Sequence, residues 1–190
     1  MKGRESGMPE KETWERFFNP ERILTTLGLD TSVTDVAELG CGYGTFTIPA
    51  ARVIRGKVYA IDIEQEMTAI TESEADKHGL HNIKTILRDF ITEGTGLGDD
   101  SVDYVMLFNI LHVEQPGTLL QEAWRILRLG GKLGIIHWNY NPATPRGPSM
   151  SIRPKPEQCI AWAQASGFSH PMQNDLRPYH YGIMMEKEAR

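Results

Sequence analysis

The sequence predicts an α/β fold in which helices cover both faces of a mostly parallel β-sheet. Short apolar, β-branched segments alternate with amphipathic segments of about ten to fifteen residues, which is the pattern of βαβ units. The strand segments are apolar almost throughout, as expected for strands that are buried on both faces of a sheet. The chain has 190 residues, enough for one domain with a complete hydrophobic core.

The predicted elements follow one another in a regular order. The segments with strand composition are 33–39, 57–63, 82–87, 103–110 and 132–138. The segments with apolar residues at helical spacing, several of them bounded by proline or glycine, are 20–29, 45–54, 64–78, 118–129 and 156–166. Two further strands with a turn near 175–178 are predicted over 168–186. Five strands separated by helices favour right-handed crossovers within one sheet.

Composition excludes several classes of protein. Hydrophobic residues make up 40% and charged residues 24% of the chain, which is typical of globular domains and not of disordered, collagen-like or coiled-coil chains. Two cysteines, Cys41 and Cys159, form neither a disulfide framework nor a four-cysteine zinc site, and we expect a reducing, cytoplasmic location. The 20 basic and 25 acidic residues give a net charge of −5, which disfavours nucleic acid as a partner.

Two segments outside the regular elements also allow predictions. Residues 1–13 are charged and lack the apolar run of a signal peptide, so we expect a flexible tail before a single domain at 14–190. No segment approaches the ~18 apolar residues of a membrane span. Five prolines fall within 139–157, which excludes a helix or a central strand there. This Pro-rich loop is predicted to be either an ordered loop or a mobile lid.

The segment that indicates ligand binding most clearly is 38–44 (ELGCGYG), between the first predicted strand and the next helix. Its alternate glycines permit a tight turn and the close approach of a ligand, and the helix that follows favours an anionic group at its start. Asp62 lies at the end of the second predicted strand, 22 residues after Gly40. A carboxylate at that place can accept hydrogen bonds from both hydroxyls of a ribose. The segment therefore predicts a ligand containing adenosine at the carboxyl edge of the sheet.

Two classes of ligand compete for this loop. Dinucleotide-binding loops favour G-x-G-x-x-G, whereas this loop has G-x-G-x-G preceded by Glu38. A carboxylate close to a pyrophosphate is unfavourable, but it suits a cation such as a sulfonium or an ammonium. The charge therefore favours S-adenosylmethionine over NAD, and an NAD-binding oxidoreductase is the alternative.

With these motifs, the sequence resembles the class I S-adenosylmethionine-dependent methyltransferases, in particular the small-domain group that includes the ubiquinone-biosynthesis C-methyltransferases. Beside the Gly loop, the matching motifs are 58–67 (VYAIDIEQEM), 87–90 (LRDF), 102–113 (VDYVMLFNILHV) and 125–138 (RILRLGGKLGIIHW). The resemblance covers roughly residues 19–186. It implies a Rossmann-like, seven-stranded, mostly parallel sheet of order 3-2-1-4-5-7-6 whose last strand is antiparallel, and S-adenosylmethionine as the cofactor.

The resemblance also implies roles for individual residues. Glu38 and the loop glycines would line the methionine end of the cofactor, Asp62 would hold the ribose, and Asp89 would accept from the adenine amine. The full set implied to contact the cofactor is Glu38, Gly40, Cys41, Gly42, Gly44, Asp62, Ile63, Met67, Asp89, Phe90 and Asn109.

The sequence leaves other roles open for four of these residues. Asp62 is also placed to cap a helix, Asp89 is also typical of a turn, and Met67 is also typical of a core. Cys41 is also small enough to serve only as a loop residue, because the sequence offers no neighbouring base that would make it a nucleophile.

Methyl transfer from a sulfonium depends on alignment and exclusion of water more than on a strong base. His112, just after the fourth predicted strand, is the candidate general base, and His137 is a weaker one. No metal site is predicted, because these two histidines lack a third spaced ligand. Arg146 and Arg153 in the Pro-rich loop are candidates to clamp a carboxylate or a phosphate of the acceptor. The alternative is that both are solvated surface arginines.

The acceptor is predicted to be a small molecule bound by a monomer or a homodimer. A protein lysine is the alternative acceptor, because a chain with so short a substrate-side loop is expected to have an open site. The non-enzymatic alternative is a cofactor-binding module that has lost activity.

Overall fold

The computed structural model describes residues 9–188, and seven strands in this range form one sheet. The strands are β1 (Val36–Leu39), β2 (Val58–Asp62), β3 (Ile83–Leu87), β4 (Val102–Phe108), β5 (Leu127–Trp138), β6 (Phe168–Leu176) and β7 (His180–Lys187). The helices are α1 (Lys11–Glu15), α2 (Pro20–Thr26), α3 (Thr47–Val53), α4 (Gln65–Lys77), α5 (Pro116–Ile126) and α6 (Pro156–Ala165).

The sheet has the order β3-β2-β1-β4-β5-β7-β6. β1 to β5 run parallel to one another, and β7 is antiparallel to both β5 and β6. The predicted order and the predicted antiparallel last strand are therefore confirmed. The carboxyl ends of the parallel strands and the start of β7 meet along one edge, which is where an open α/β sheet binds its ligands.

The core lies in two layers, one on each face of the sheet. On one face, α5 and α6 bury Leu119, Leu120 and Cys159 against β4 and β5. On the other face, α2 and α3 bury Leu24 and Ala50 against the opposite side chains of the same strands. Strands covered on both faces explain why their sequences are apolar almost throughout.

The largest shift from the predicted boundaries concerns the turn between α5 and β5. The apolar pattern predicted a helix over 118–129, but α5 ends at Ile126 and β5 begins at Leu127. Leu127 pairs with Val102 and Lys132 pairs with Tyr104, so the residues between them bulge out of the ladder. Gly130 has a φ of +76° in this bulge, a conformation that glycine adopts without strain.

The amino-terminal segment packs on the domain earlier than predicted. Residues 1–8 of the predicted tail lie outside the described residues, but α1 begins at Lys11 within that tail. The Tyr43 hydroxyl of the Gly loop donates to the carbonyl of Pro9 at 3.1 Å, and the Lys11 ammonium lies 2.9 Å from a carboxylate oxygen of Glu74 on α4. These long-range partners hold α1 beside the Gly loop, and no local sequence pattern signals them.

Within residues 9–188, none of the helices combines the length and the apolar character that crossing a bilayer requires.

Candidate active site

The Gly loop between β1 and α3 is fixed to the end of the neighbouring strand. The N–H groups of Gly40 and Cys41 donate to the carbonyl of Ile61 at 2.8 and 3.1 Å. Gly40, Gly42 and Gly44 have φ values of +82°, +53° and +76°, which explains why glycine occupies each position. A Cβ atom at Gly40 would lie 2.9 Å from Cδ1 of Ile110, so a side chain at this position would require the Ile110 side chain to shift.

Asp62 holds the Gly loop with one oxygen and the start of α4 with the other. Its Oδ2 accepts from the N–H of Gly42 at 2.9 Å, and its Oδ1 accepts from the N–H of Glu64 at 3.0 Å. Burial raises the pKa of Asp62, and these two N–H groups partly oppose that shift. A carboxylate has about four acceptor positions, so a helix-capping role and a ligand role are compatible at this residue.

Glu38 is a second buried carboxyl group beneath the same loop. It is 2% exposed, and the hydroxyl of Thr47 on α3 donates to its Oε2. Burial raises the pKa of Glu38 to about 8, and the charge of Asp62 adds to this effect. Two carboxyl groups that share a site of low polarity favour the arrival of a cation.

Cys41 lies between these two acids as a protonated thiol. Burial raises the pKa of the Cys41 thiol far above its usual range, and the charges of Glu38 and Asp62 raise it further. Only a thiolate is a good nucleophile, so the Cys41 side chain fills space in the loop and is not poised for covalent chemistry.

The structure brings the predicted adenine-side residues to the same edge. The N–H of Arg88, which follows β3, donates to the carbonyl of Asp62 at 2.8 Å. This bond places Asp89 and Phe90 next to the end of β2. Ile63 and Met67 are half-buried at the start of α4.

Asp89 and Phe90 both have structural roles as well. Oδ1 of Asp89 accepts from the N–H groups of Ile91 and Thr92 at 3.2 Å each, which is the turn role that the sequence left open. Phe90 is 3% exposed and belongs to the core on the α5 face. Its Cζ lies 4.0 Å from the position that a Cβ of Gly40 would take.

Asn109, immediately after β4, has the most unusual environment in the predicted set. Its φ is +56°, and its N–H donates to the carbonyl of Ile136 at 2.7 Å. Within the described residues, its side-chain oxygen and nitrogen are both buried and neither has a hydrogen-bond partner. Buried amides are ordinarily paired, so an unpaired one at this edge fits a ligand with donors and acceptors of its own. Together with the two buried acids, it makes the donor set suitable for S-adenosylmethionine.

The Pro-rich loop after β5 is folded around the side chain of Arg153. Its guanidinium donates to the carbonyls of Asn139, Asn141, Arg146 and Pro148 at 2.8–3.2 Å and also to the hydroxyl of Thr144. Arginine has five N–H donors, and all three nitrogens are engaged within the loop. The expectation that Arg153 clamps an anionic acceptor is therefore wrong. These bonds favour the first of the two predicted alternatives, an ordered loop, and the mobile lid stays a prediction.

A cleft of about 530 Å³ opens between the loop after β4, the Pro-rich loop and the start of α6. The side chains that line it include His112, Tyr140 and Trp162. Nδ1 of His112 lies 3.3 Å from Nε2 of His137 on β5. The structure thus brings the two candidate histidines together, although 25 residues separate them in the chain.

Sequence analysis missed two residues that support the loop and one that is buried on the other side of the sheet. Thr47 donates to Glu38, and the Thr71 hydroxyl of α4 donates to the carbonyl of Gly42 at 2.9 Å. His180 at the start of β7 is 1% exposed between the rings of Phe18 and Trp138. No local pattern marks these three residues, because their partners come from other elements.

The fold and these side chains agree with comparisons to known proteins. Residues 36–131 match the family model described as a methyltransferase domain. The chain belongs to the class I S-adenosylmethionine-dependent methyltransferases. The predicted family and cofactor are thereby confirmed, and the NAD-binding alternative is set aside.

Individual relatives of this methyltransferase domain match only part of its length. It is 33% identical over 94 residues to a demethylmenaquinone methyltransferase of Geobacillus stearothermophilus, covering 48% of this chain and 39% of that protein. It is 31% identical over 134 residues to a ubiquinone biosynthesis O-methyltransferase of Xanthomonas oryzae pv. oryzae, covering 66% of this chain and 52% of that protein. The chain thus spans about two fifths to one half of these relatives.

Solved structures extend the likeness of fold over nearly the whole domain. The crystal structure of a SAM-dependent methyltransferase from Aquifex aeolicus matches with a TM-score of 0.81 and 23% sequence identity. The match covers 93% of each chain. At this identity the structure supports the fold and leaves the acceptor open.

Proposed function

We propose that this protein transfers a methyl group from S-adenosylmethionine to a small-molecule acceptor held in the cleft beside β4. The observation on which this rests is that two buried acids, Glu38 and Asp62, and the 530 Å³ cleft lie at the same edge of the sheet. S-adenosylmethionine supplies an electrophilic methyl group on a positively charged sulfur.

The predicted site residues divide the work of holding the cofactor. Asp62 accepts from the ribose hydroxyls while it keeps its bonds to the loop, and the buried Glu38 stabilises the positive charge at the methionine end. Ile63, Met67 and Phe90 offer apolar surface to the adenine, and Asp89 accepts from its amino group. Asn109, with its unpaired amide, bonds to the methionine moiety. Gly40, Cys41, Gly42 and Gly44 let the loop backbone approach closely.

Three observations support a small molecule as the acceptor. The cleft volume of about 530 Å³ falls within the roughly 300–1,000 Å³ of small-ligand sites. Two relatives with a partial match are named for the methylation of menaquinone and ubiquinone precursors. The net charge of −5 opposes binding to nucleic acid. A monomeric or homodimeric state and a cytoplasmic location stay predictions.

The first test is a calorimetric titration of the purified protein with S-adenosylmethionine, S-adenosylhomocysteine and NADH. We expect one site for each of the first two ligands and no heat from NADH. Binding of NADH alone would contradict the proposal.

The acceptor class is tested with S-adenosylmethionine that carries a radioactive methyl group. The protein is incubated with a cell extract that has been divided into small-molecule and macromolecular fractions. We expect label in the small-molecule fraction, and less of it with the Asp62→Asn variant at a limiting concentration of the cofactor. Label in the protein fraction alone would favour the lysine alternative, and binding without transfer to either fraction would favour the inactive module.

A further inference from the structure

Two buried threonines of α4 use their hydroxyl groups differently. Thr68 is 7% exposed, and its hydroxyl donates to the carbonyl of Gln65 in the same helix at 2.9 Å. This is an ordinary bond for a threonine inside a helix. Thr71 is fully buried, and its hydroxyl donates outside the helix, to the carbonyl of Gly42 in the Gly loop at 2.9 Å. The bond joins residues that are 29 positions apart in the chain.

The Thr71 side chain contacts the Gly loop at two further positions. Its Oγ1 lies 3.7 Å from Sγ of Cys41, a much longer contact than the bond to Gly42. A Cβ atom at Gly44 would lie 3.1 Å from Oγ1 and 3.3 Å from Cγ2 of Thr71, so the side chain packs closely against this glycine. Thr71 therefore supports the loop from Cys41 to Gly44.

The bond from Thr71 fixes the direction of one peptide group in the loop. The carbonyl of Gly42 and the N–H of Tyr43 belong to the same planar trans peptide, so they point in opposite directions. With the carbonyl held by α4, the N–H of Tyr43 is directed away from that helix. Gly42 itself imposes no such direction, because a glycine adopts many backbone conformations at little cost. The orientation of this peptide therefore depends on the Thr71 hydroxyl.

The N–H of Tyr43 differs from the other N–H groups between Gly40 and Gly44. Each of the others donates to the neighbouring strand, to Asp62 or within the loop. Among residues 9–188, the N–H of Tyr43 has no hydrogen-bond partner. An oriented N–H without a partner is available to a ligand, and it bonds most strongly to a charged acceptor. On S-adenosylmethionine that acceptor is the carboxylate of the methionine moiety.

We infer that Thr71 is a positioning residue for S-adenosylmethionine, because its hydroxyl holds the Gly42–Tyr43 peptide so that the N–H of Tyr43 is left for the methionine carboxylate. The inference rests on the proposed function for placing the methionine end of the cofactor at the Gly loop. In this role Thr71 acts through the loop backbone and needs no contact with the cofactor. Without the hydroxyl, the carbonyl of Gly42 loses its partner, and a rotation of the peptide toward another donor would turn the N–H of Tyr43 out of the site.

The role is tested by comparing two ligands, S-adenosylhomocysteine and methylthioadenosine. The second ligand has the same adenine, ribose and sulfur but lacks the amino-acid part. Calorimetry gives both dissociation constants for the wild type, Thr71→Val, Thr71→Ser and Thr68→Val. Valine keeps the shape of threonine and removes the hydroxyl. We expect Thr71→Val to weaken binding of S-adenosylhomocysteine roughly tenfold, the scale of one hydrogen bond, and to leave binding of methylthioadenosine nearly unchanged. Thr71→Ser, which keeps the hydroxyl, and Thr68→Val should bind both ligands as the wild type does.

The outcomes separate this role from a purely structural one. Equal losses for the two ligands in Thr71→Val would mean that the hydroxyl only stabilises the loop, and they would overturn the inference. An unchanged affinity for S-adenosylhomocysteine in that variant, or an equal loss in Thr68→Val, would also overturn it. If the wild type binds neither ligand, the proposed function fails, and the inference that rests on it fails as well.

The amide signal of Tyr43 provides a second measurement on the wild-type protein. The protein is labelled with nitrogen-15 at tyrosine and titrated with each ligand in proton–nitrogen NMR, and Tyr43→Phe assigns the signal by removing it. We expect S-adenosylhomocysteine to move the amide proton of Tyr43 downfield, as a bond to a carboxylate does. Methylthioadenosine should leave that signal nearly unchanged. Equal shifts with the two ligands would overturn the inference, whatever the stability of the Thr71 variants.

Discussion

The two halves of the sheet edge bury opposite kinds of polar group. At the ends of β1 and β2, the buried groups are the acids Glu38 and Asp62. At the ends of β4 and β5 and the start of β7, they are the imidazoles of His112, His137 and His180 and, in the adjoining loop, the guanidinium of Arg153. The first half, called the cofactor half below, attracts a cation. In the second half, called the acceptor half, the N–H donors of Arg153 face carbonyl oxygens of their own loop.

This difference in buried polar groups corresponds to a difference in how each half is stabilised. The acids are held by backbone N–H groups and hydroxyls of adjacent elements, and a cationic ligand would stabilise them further. Arg153 faces carbonyl oxygens, and burial lowers its pKa. Among residues 9–188, its charge is therefore balanced by dipoles and not by a carboxylate. We expect variants of the acids to impair ligand binding first and variants of Arg153 to impair folding first.

The largest effect is expected from Arg153→Met, which keeps much of the apolar stem and removes every donor to the loop. Four backbone carbonyls lose their N–H partner, and unpaired buried acceptors cost about 1–3 kcal/mol each when water cannot reach them. We expect the free energy of unfolding to fall by about 2–4 kcal/mol, measured by urea denaturation. Arg146→Met, in the same loop but exposed, should change it by less than about 0.5 kcal/mol. Equal losses in the two variants would contradict this role for Arg153.

Asp62→Asn tests the cofactor half with little change in shape. The variant loses the charged acceptor proposed for the ribose hydroxyls, so we expect binding of S-adenosylhomocysteine to weaken by about 1.5–3 kcal/mol, measured by calorimetry. Asp76→Asn on the exposed face of α4 is the control and should bind as the wild type does. Unchanged affinity in Asp62→Asn would contradict the proposal that Asp62 binds the ribose hydroxyls.

The same two halves differ in how far sequence analysis could describe them. The loop from Glu38 to Gly44 is contiguous, and Asp62 ends the very next strand, so a local motif predicted both the turn and its neighbouring acid. The strand order also followed from the matching motifs. The contacts of Thr47 and Thr71 escaped prediction because a threonine in a helix has no signature for a distant partner.

The acceptor half could not be predicted to the same depth, because its bonds join segments that are far apart in the chain. His112 and His137 were candidates for a base, but the contact between their rings joins residues that are 25 positions apart in the chain. Arg153 was expected to face a ligand, and only the folded loop shows that its donors turn inward. The composition of a loop does not encode which of its carbonyls converge.

His180→Phe tests whether the acceptor half tolerates a buried ring without donors. Within the described residues, neither nitrogen of His180 has a partner, and its ring lies 4.5 and 4.2 Å from the ring centres of Phe18 and Trp138. We expect the variant to be more stable by about 1–2 kcal/mol at neutral pH, because it removes the cost of unpaired nitrogens. His81→Phe on the surface should change stability by less than about 0.5 kcal/mol.

The pH dependence of stability separates this cause from better packing. Burial lowers the pKa of His180 from 6.5 to about 3, with a smaller contribution from Arg153. Between these values the unfolded chain binds a proton that the folded chain does not, so the wild type loses stability as the pH falls below about 6.5. The advantage of His180→Phe should therefore grow toward acid pH in thermal unfolding. A constant advantage from pH 7 to pH 5 would mean that packing alone explains it.

We expect the smallest effect from the titration of Glu38. It is also the most specific test of cation binding in the cofactor half. Below its raised pKa of about 8, Glu38 is mostly protonated in the free protein, and it must release that proton to stabilise a cation. The affinity for S-adenosylmethionine should therefore rise between pH 7 and pH 8, by roughly fivefold or about 1 kcal/mol. The ligand titrates in the same range, but it does so equally for Glu38→Gln, so the difference between the two proteins isolates this carboxyl group.

The ligand-free protein should show the opposite sign. The folded state holds the Glu38 proton up to about pH 8, whereas the unfolded chain releases it near 4.5, so the contribution of Glu38 to stability is lost as the pH rises between these values. Glu38→Gln cannot titrate and should flatten this decline. If the affinity for S-adenosylmethionine rises while the stability of the free protein falls between pH 7 and pH 8, both effects have the same source, which is the proton of Glu38. If Glu38→Gln keeps both slopes, the buried acid is not their source, and the cation-binding role of the first half rests on Asp62 alone.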